Sequence, residues 1–178
     1  MGSRLRFVVQ LATIAMVTFA VRASFADHYR VPSGSMTPTV QIGDHVLVAK
    51  AAYGLRLPLT TTYVAHFAAP DRGDVVVLES PDPDDPVVLL KRVVAVGGDE
   101  VEVKDGRVFL GGALTDARGE GGPDFGPARV PDGQLLVLGD NRGNSRDGRT
   151  FGFVSRDRVL GRAIAVVARD GALTYEPL

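Results

Sequence analysis

After residue 30 the apolar residues come in short bursts: Val46 to Ala49, Val75 to Leu78, Val87 to Val96, Leu135 to Leu138 and Val159 to Ala168. Bursts that are short, rich in valine and closed by Gly, Pro or Asp predict strands rather than helices. Four Asp-Gly pairs punctuate them, at 105, 132, 147 and 170. The first lies between Val101-Glu102-Val103-Lys104 and Arg107-Val108-Phe109-Leu110, which predicts a hairpin with a type I′ turn. Pro81 to Pro86, acidic and proline-rich, and Gly111 to Gly133, rich in glycine, read as surface loops. No long amphipathic helix and no internal repeat is visible. The pattern therefore predicts a mainly β fold, a compact all-β domain of short antiparallel strands.

One segment is patterned differently. From Leu5 to Val21 the only charge is Arg6 near the start, Gln10 is the most polar of the other residues, and the run is flanked by Arg4 and Arg22. As a helix it would be about 25 Å long, near the lower limit for a hydrocarbon core about 30 Å thick. A transmembrane helix is one reading. A cleavable signal peptide is a second, because Val21-Arg22-Ala23 is a small-x-small sequence after a basic start and an apolar run, and a buried core helix is a third, which apolar residues all round and flanking arginines disfavour. The arginines on the two sides nearly balance, so charge does not set an orientation.

Composition narrows the chemistry. The chain has 178 residues, formal net charge −1 and no cysteine. A nucleic-acid binder would carry a basic excess, so no nucleic acid is expected as a partner. Without cysteine, a disulfide framework, a thiolate zinc site and a Cys nucleophile are excluded. His28, His45 and His66 lack metal-ligand spacing in sequence, so neither a metal nor another cofactor is expected. The acidic group Asp82, Asp84 and Asp85 reads as a solvated loop. Of 20 basic residues only Lys50, Lys91 and Lys104 are lysine. A basic residue needed only for charge can be arginine, whereas an amine that must lose its proton cannot. Lys50 is a rival to Lys91 on this ground, and Lys104, beside a hairpin turn, reads as exposed.

Lys91 stands out by placement. Counted with period two, Val87, Leu89, Lys91, Val93 and Ala95 share one strand face, so the amine keeps apolar company and is poorly solvated. Desolvation lowers a lysine pKa. The alternative is a lysine reaching solvent from a strand end, with Arg92 on the opposite face equally able to be the exposed one. Pro32 to Val40, PSGSMTPTV, holds two serines among small residues and prolines. A serine in such a turn can present its hydroxyl to a carbonyl, although Ser-Gly-Ser also occurs in ordinary loops.

Taken in order, PSGSMTPTV, GDHVLVAK (Gly43 to Lys50), RGDVVVL (Arg72 to Leu78), KRVVAVGGD (Lys91 to Asp99) and GDNRGNSRDGR (Gly139 to Arg149) resemble the boxes of the type I signal peptidases. These are membrane-anchored serine proteases with a Ser-Lys dyad. The resemblance implies Ser35 as nucleophile and Lys91 as general base. It implies an oxyanion hole made by the Ser33 hydroxyl and the backbone N–H of Ser35. Ser145 would orient the lysine, and Asp147 with Arg149 would form a supporting ion pair. Ala95, Gly97 and Gly148 depart from the family's commoner residues. The resemblance further implies residues 1–24 as a transmembrane anchor and 25–178 as the β-rich peptidase domain. The enzyme would sit in the plasma membrane as a single-pass protein with its catalytic domain on the outer, periplasmic or extracellular, face. Its partners would be the lipid bilayer and exported preproteins with small residues before the cleavage point. Two other readings stay open: a self-cleaving repressor-type Ser-Lys peptidase, which needs a DNA-binding segment, and a non-catalytic membrane-anchored β module. A lipid-touching face is sought at Tyr53 to Phe67, where Leu55, Leu57, Leu59, Tyr63 and Phe67 could equally be core.

Overall fold

The computed structural model describes residues 6–14, 26–56 and 63–178. Residues 6–14 form helix α1, and its apolar side chains Phe7, Val8, Val9, Leu11 and Ile14 are exposed. No helix among the described residues is long and apolar enough to cross a membrane. The rest of the expected anchor, residues 1–5 and 15–25, lies outside the described residues.

The chain that follows is mainly β. Seven strands run in the spatial order β1 (Ala26–Arg30), β2 (His45–Ala49), β13 (Val159–Arg169), β5 (Val75–Glu79), β6 (Val88–Val96), β11 (Gln134–Leu138) and β12 (Val154–Ser155), with β14 (Ala172–Pro177) paired to β13. All of these pairs are antiparallel. A smaller sheet has the order β10 (Phe125–Arg129), β7 (Glu100–Lys104), β8 (Arg107–Leu110), β9 (Ala113–Asp116), and β3 (Gly54–Arg56) pairs with β4 (Tyr63–His66). Every valine-rich burst is a strand.

Strand β5 shows why the bursts are continuous rather than alternating. Val75 and Val77 pack in one core cluster with Val31, Met36, Val40 and Val46, whereas Val76 and Leu78 pack in a second with Val93, Leu135 and Val137. The centre of the large sheet is therefore covered on both faces, so both sets of positions must be apolar. A third cluster joins the sheets: Val94, Ala95, Leu136 and Leu138 meet Val101, Val103 and Val108.

The turn at Asp105-Gly106 has positive φ at both residues and pairs Lys104 with Arg107, as a type I′ hairpin requires. Asp170-Gly171 repeats it between β13 and β14. Asp147-Gly148 does something else: Asp147 caps a one-turn helix α2 (Gly148–Phe151) by accepting from the Arg149 N–H. One loop expectation is corrected. Gly111 to Gly133 contains β9 and β10, the two edges of the small sheet. Their side chains are largely exposed, so no buried alternation marked them as strands. In the stretch proposed to touch lipid, Tyr53 is core, Leu55 and Phe67 are exposed, and Leu57 and Leu59 lie outside the described residues.

Candidate active site

Ser35 sits in the short 3-10 turn Gly34–Met36 that follows β1. Buried Val31, Met36 and Val40 pin the loop to the first core cluster while Ser33 stays exposed and Ser35 half-buried. The loop is also gripped from the far end of the sequence. Asn141 N–H donates to the Ser35 carbonyl at 3.0 Å, and the Asn141 side-chain amide donates to the Gly34 carbonyl at 3.0 Å. Thr39 Oγ1 donates to Asp140 Oδ2 at 2.6 Å. Gly139 lies so close that a Cβ there would fall within 3.0 Å of both the Ser35 carbonyl oxygen and Ser145 Oγ. These contacts fix the backbone on which the Ser35 hydroxyl is carried.

Lys91 approaches from β6. Its strand neighbours Leu89 and Val93 and its cross-strand partner Val76 all belong to the second core cluster, and the residue is 3% exposed. Alternation therefore holds from Leu89 to Val93, but not beyond. The β6–β11 register slips between Val93 and Ala95, and Ala95 turns into the third cluster instead of sharing the Lys91 face. Lys91 Nζ reaches Ser35 Oγ at 2.7 Å, across 56 positions of sequence. Burial pushes the amine down from 10.5 to about 8, and the charges of Asp147 and Asp140 pull weakly the other way. Holding an ammonium against that change costs on the order of 3 kcal/mol. At pH 7 the neutral amine is then present in roughly one molecule in ten, against about one in three thousand at the ordinary value.

Arg92, on the opposite face, is not exposed. It forks onto Asp140 at 2.9 and 2.7 Å and donates to the Gly73 carbonyl at 2.7 Å. Two charges taken out of water require this bidentate geometry. One carboxylate thus links the lysine's strand to the serine's loop, because Asp140 also receives Thr39. Asp147 and Arg149 form a second buried pair, with Nε–Oδ1 at 2.9 Å and Nη2–Oδ2 at 3.0 Å. Burial alone would raise the Asp147 carboxyl, but the Arg149 guanidinium and the Gly139 N–H hold it below its usual range. The Ser145 hydroxyl adds a weaker pull of the same sign, although its geometry falls short of a hydrogen bond. Ser145 Oγ is buried and makes no hydrogen bond among the described residues, to Lys91 or to any other group. Ser33 Oγ is 3.5 Å from Ser35 Oγ.

Buried Arg142 ties this constellation to the small sheet. It donates to the carbonyl of Gly139 and to that of Gly106, and reaches Asp116 at 3.0 Å. Arg149 likewise donates to the Gly121 carbonyl. Sequence reasoning offered Arg92 only as a candidate for the exposed side chain and gave Asp140, Asn141 and Arg142 no role; an unusual density of arginine and short polar residues in GDNRGNSRDGR was the one available signal.

Two clefts open at the serine and lysine. One, of about 200 Å³, runs between Tyr29 to Ser33 and Val88 to Lys91, with Met36, Val46 and Val77 in its wall. The other, of about 280 Å³, has a more polar lining. The rival lysines are engaged elsewhere: Lys50 pairs with Asp27 at 3.5 Å, and Lys104 is exposed and pairs with Glu102 at 2.8 Å. Strand pairing stacks the His28 and His45 rings at 6.0 Å, but no group of three metal-ligating side chains occurs among the described residues. Asp82 and Asp85 are not simply solvated, since both pair with Arg146.

Comparison with known proteins agrees with this geometry. The family model described as signal peptidase, peptidase S26, matches residues 4–168. The chain is 36% identical to a probable signal peptidase I-2 of Synechocystis, covering 92% of this chain and 74% of the relative. It is 34% identical to a signal peptidase I of Leptolyngbya laminosa, over 84% of this chain and 72% of that one. A signal peptidase I of Pseudomonas fluorescens is 31% identical, with 86% and 68% covered. A match of this extent, on a chain whose first and last boxes are joined by the Asn141 bonds to Gly34 and Ser35, means that the protein belongs to the signal peptidase family, peptidase S26.

Proposed function

We propose that this protein is a membrane-bound serine endopeptidase that removes N-terminal signal peptides from exported preproteins, with Ser35 as nucleophile and Lys91 as general base. The observation that carries the reading is the 2.7 Å approach of a desolvated amine to a serine hydroxyl beside an apolar cleft. Lys91 in its neutral form takes the Ser35 proton as Oγ attacks the carbonyl of the bound preprotein. The oxyanion is received by the Ser33 hydroxyl and the Ser35 N–H. Lys91, now an ammonium, gives its proton to the departing amine, and the mature chain leaves. An ester of the signal peptide on Ser35 remains. The neutral lysine then takes a proton from water as the water attacks the ester, and hands it to Ser35 Oγ as the ester bond breaks, which frees the signal peptide and restores both groups. Ser145, with a buried hydroxyl not yet bonded, orients the lysine as it becomes charged, and the Asp147–Arg149 pair supports the loop that carries it.

The apolar cleft takes the residues before the cleaved bond. Its walls of Val31, Met36, Val46, Val77 and Leu90 admit small side chains, and an extended substrate lies beside the strand at Val88 to Leu90. Residues 1–24 form the anchor and 25–178 the peptidase domain, on the outer face of the plasma membrane. The exposed apolar surface of α1 supports an anchor, and Thr13 Oγ1 donates to the Val9 carbonyl at 2.9 Å, so its hydroxyl is satisfied without water. Incubation of the detergent-solubilised protein with a preprotein, followed by sequencing of the new N-terminus, tests the reading. Cleavage after a small residue, lost in Ser35→Ala, is expected; uncut preprotein, or equal cutting by Ser35→Ala, would overturn it.

A further inference from the structure

The two clefts share Ser33, Ser35, Leu89 and Lys91 and then diverge. An extended chain with its scissile carbonyl at Ser35 advances about 3.3 Å per residue, so it enters by one cleft and must leave by another. If the apolar cleft holds the residues before the cleaved bond, the polar one is the path for those after it.

Two loops meet along that path. The turn Pro81 to Pro86 brings Asp82 and Asp85, and the segment before α2 brings Arg146. Arg146 Nη1 lies 3.2 Å from Asp85 Oδ2, and its other terminal nitrogen bonds to Asp82. Asp85 and Arg146 line the cleft directly, with Ser80 and Asn144 as neutral hydrogen-bonding groups and Leu89 and Phe151 as the apolar part. Lys91 aside, the three carboxylates of the turn, Asp82, Asp84 and Asp85, stand against Arg146 and against Arg158, whose Nη1 donates to the Ser80 carbonyl at 2.9 Å, which leaves a net charge of about −1 at the far end of the path. The side chains of Asp85 and Arg146 are half-exposed, so the pair is not sealed and its field reaches a substrate side chain.

We propose that the cleft bounded by Asp85 and Arg146 is the binding site for the first residues of the mature chain, and that it selects them by charge, favouring basic over acidic side chains. This inference rests on the peptidase reading above. In it, Arg146 has two tasks. It holds the acidic turn against the loop carrying Ser145, and it cancels one of the turn's negative charges.

The test uses two preprotein peptides identical except for Lys or Glu immediately after the cleavage point, with kcat/KM measured at low salt for the full-length protein. The ratio of Lys to Glu substrate is expected to exceed one in the wild type. It should fall toward one in Asp85→Asn and rise on the order of tenfold in Arg146→Ala, because the two substrates differ by two unit charges and each is worth about threefold several ångströms away in a wet cleft. Both changes should shrink when salt shortens the screening length to about 3 Å. A variant that merely disturbs the loop lowers both substrates together and leaves the ratio alone. A ratio unmoved by both substitutions, or moved the opposite way, would overturn the charge-selecting site while leaving the peptidase reading intact. Failure of the wild type to cut either peptide would overturn both.

Discussion

Gly139→Ala is the smallest change that should separate folding from catalysis. The added methyl group would fall within 3.0 Å of the Ser35 carbonyl oxygen and of Ser145 Oγ. Ser145 is a side chain and can rotate, but the Ser35 carbonyl is backbone and is held by the Asn141 N–H. The serine turn must therefore withdraw by roughly 1 Å to restore van der Waals distance, and a displacement of that size at a reacting group costs about a hundredfold in rate. The energetic penalty of overpacking one methyl is about 1–3 kcal/mol, or roughly 2–4 °C of Tm for each kcal/mol in a chain of this size. The variant should thus fold, melt several degrees lower and cleave a preprotein about a hundredfold more slowly, chiefly in kcat. Thermal unfolding followed by circular dichroism and steady-state cleavage kinetics measure both. Wild-type kcat in a folded Gly139→Ala protein would refute the claim that close passage of Gly139 sets the position of Ser35.

Other expectations follow from the same contacts. Asp140→Ala leaves buried Arg92 without its carboxylate and should destabilise the fold by about 3–5 kcal/mol in urea titrations, with a loss under about 1 kcal/mol arguing against the link. Asp44, Asp140 and Asp147 are all held below the ordinary carboxyl value. In Asp44 the Arg169 hydrogen bond leads; in the other two, burial pulls upward and the bonds from Arg92 and Arg149 prevail. Because the folded values lie below the unfolded ones, their stabilisation is present above about pH 4 and is lost as pH falls through the folded values, so stability measured against pH should decline there and not between about pH 5 and 7. Lys91→Arg, always protonated, should abolish cleavage, while Lys50→Arg should keep substantial activity because arginine can retain the partnership with Asp27. Activity in the first and none in the second would move the base to Lys50.

The buried strands were legible in the sequence because a two-faced sheet needs unbroken apolar runs, as in Val75 to Leu78. Strands β9, β10 and β14 were not, because edge positions with exposed side chains carry no such signature. Alternation placed Lys91 among Leu89 and Val93, but a register slip that no residue pattern announces sent Ala95 to another core. Arginine reads as a surface residue, so the burial of Arg92, Arg142 and Arg149 emerged only when distant carboxylates and carbonyls were brought to them. Ser35 and Lys91 were paired in advance through the family resemblance. Local pattern alone does not bring together groups 56 positions apart.

The central claim is that Lys91 works as a neutral, desolvated amine on Ser35, and the pH dependence of kcat/KM tests it most directly. That ratio reports the ionisation of the free enzyme, where burial has brought the amine down to about 8. Cleavage of one preprotein by the full-length protein, followed from about pH 6 to 10, should rise nearly tenfold per unit at low pH and level off above an inflection near 8. A rate still climbing toward the ordinary lysine value of 10.5, or one flat across the range, would contradict the account.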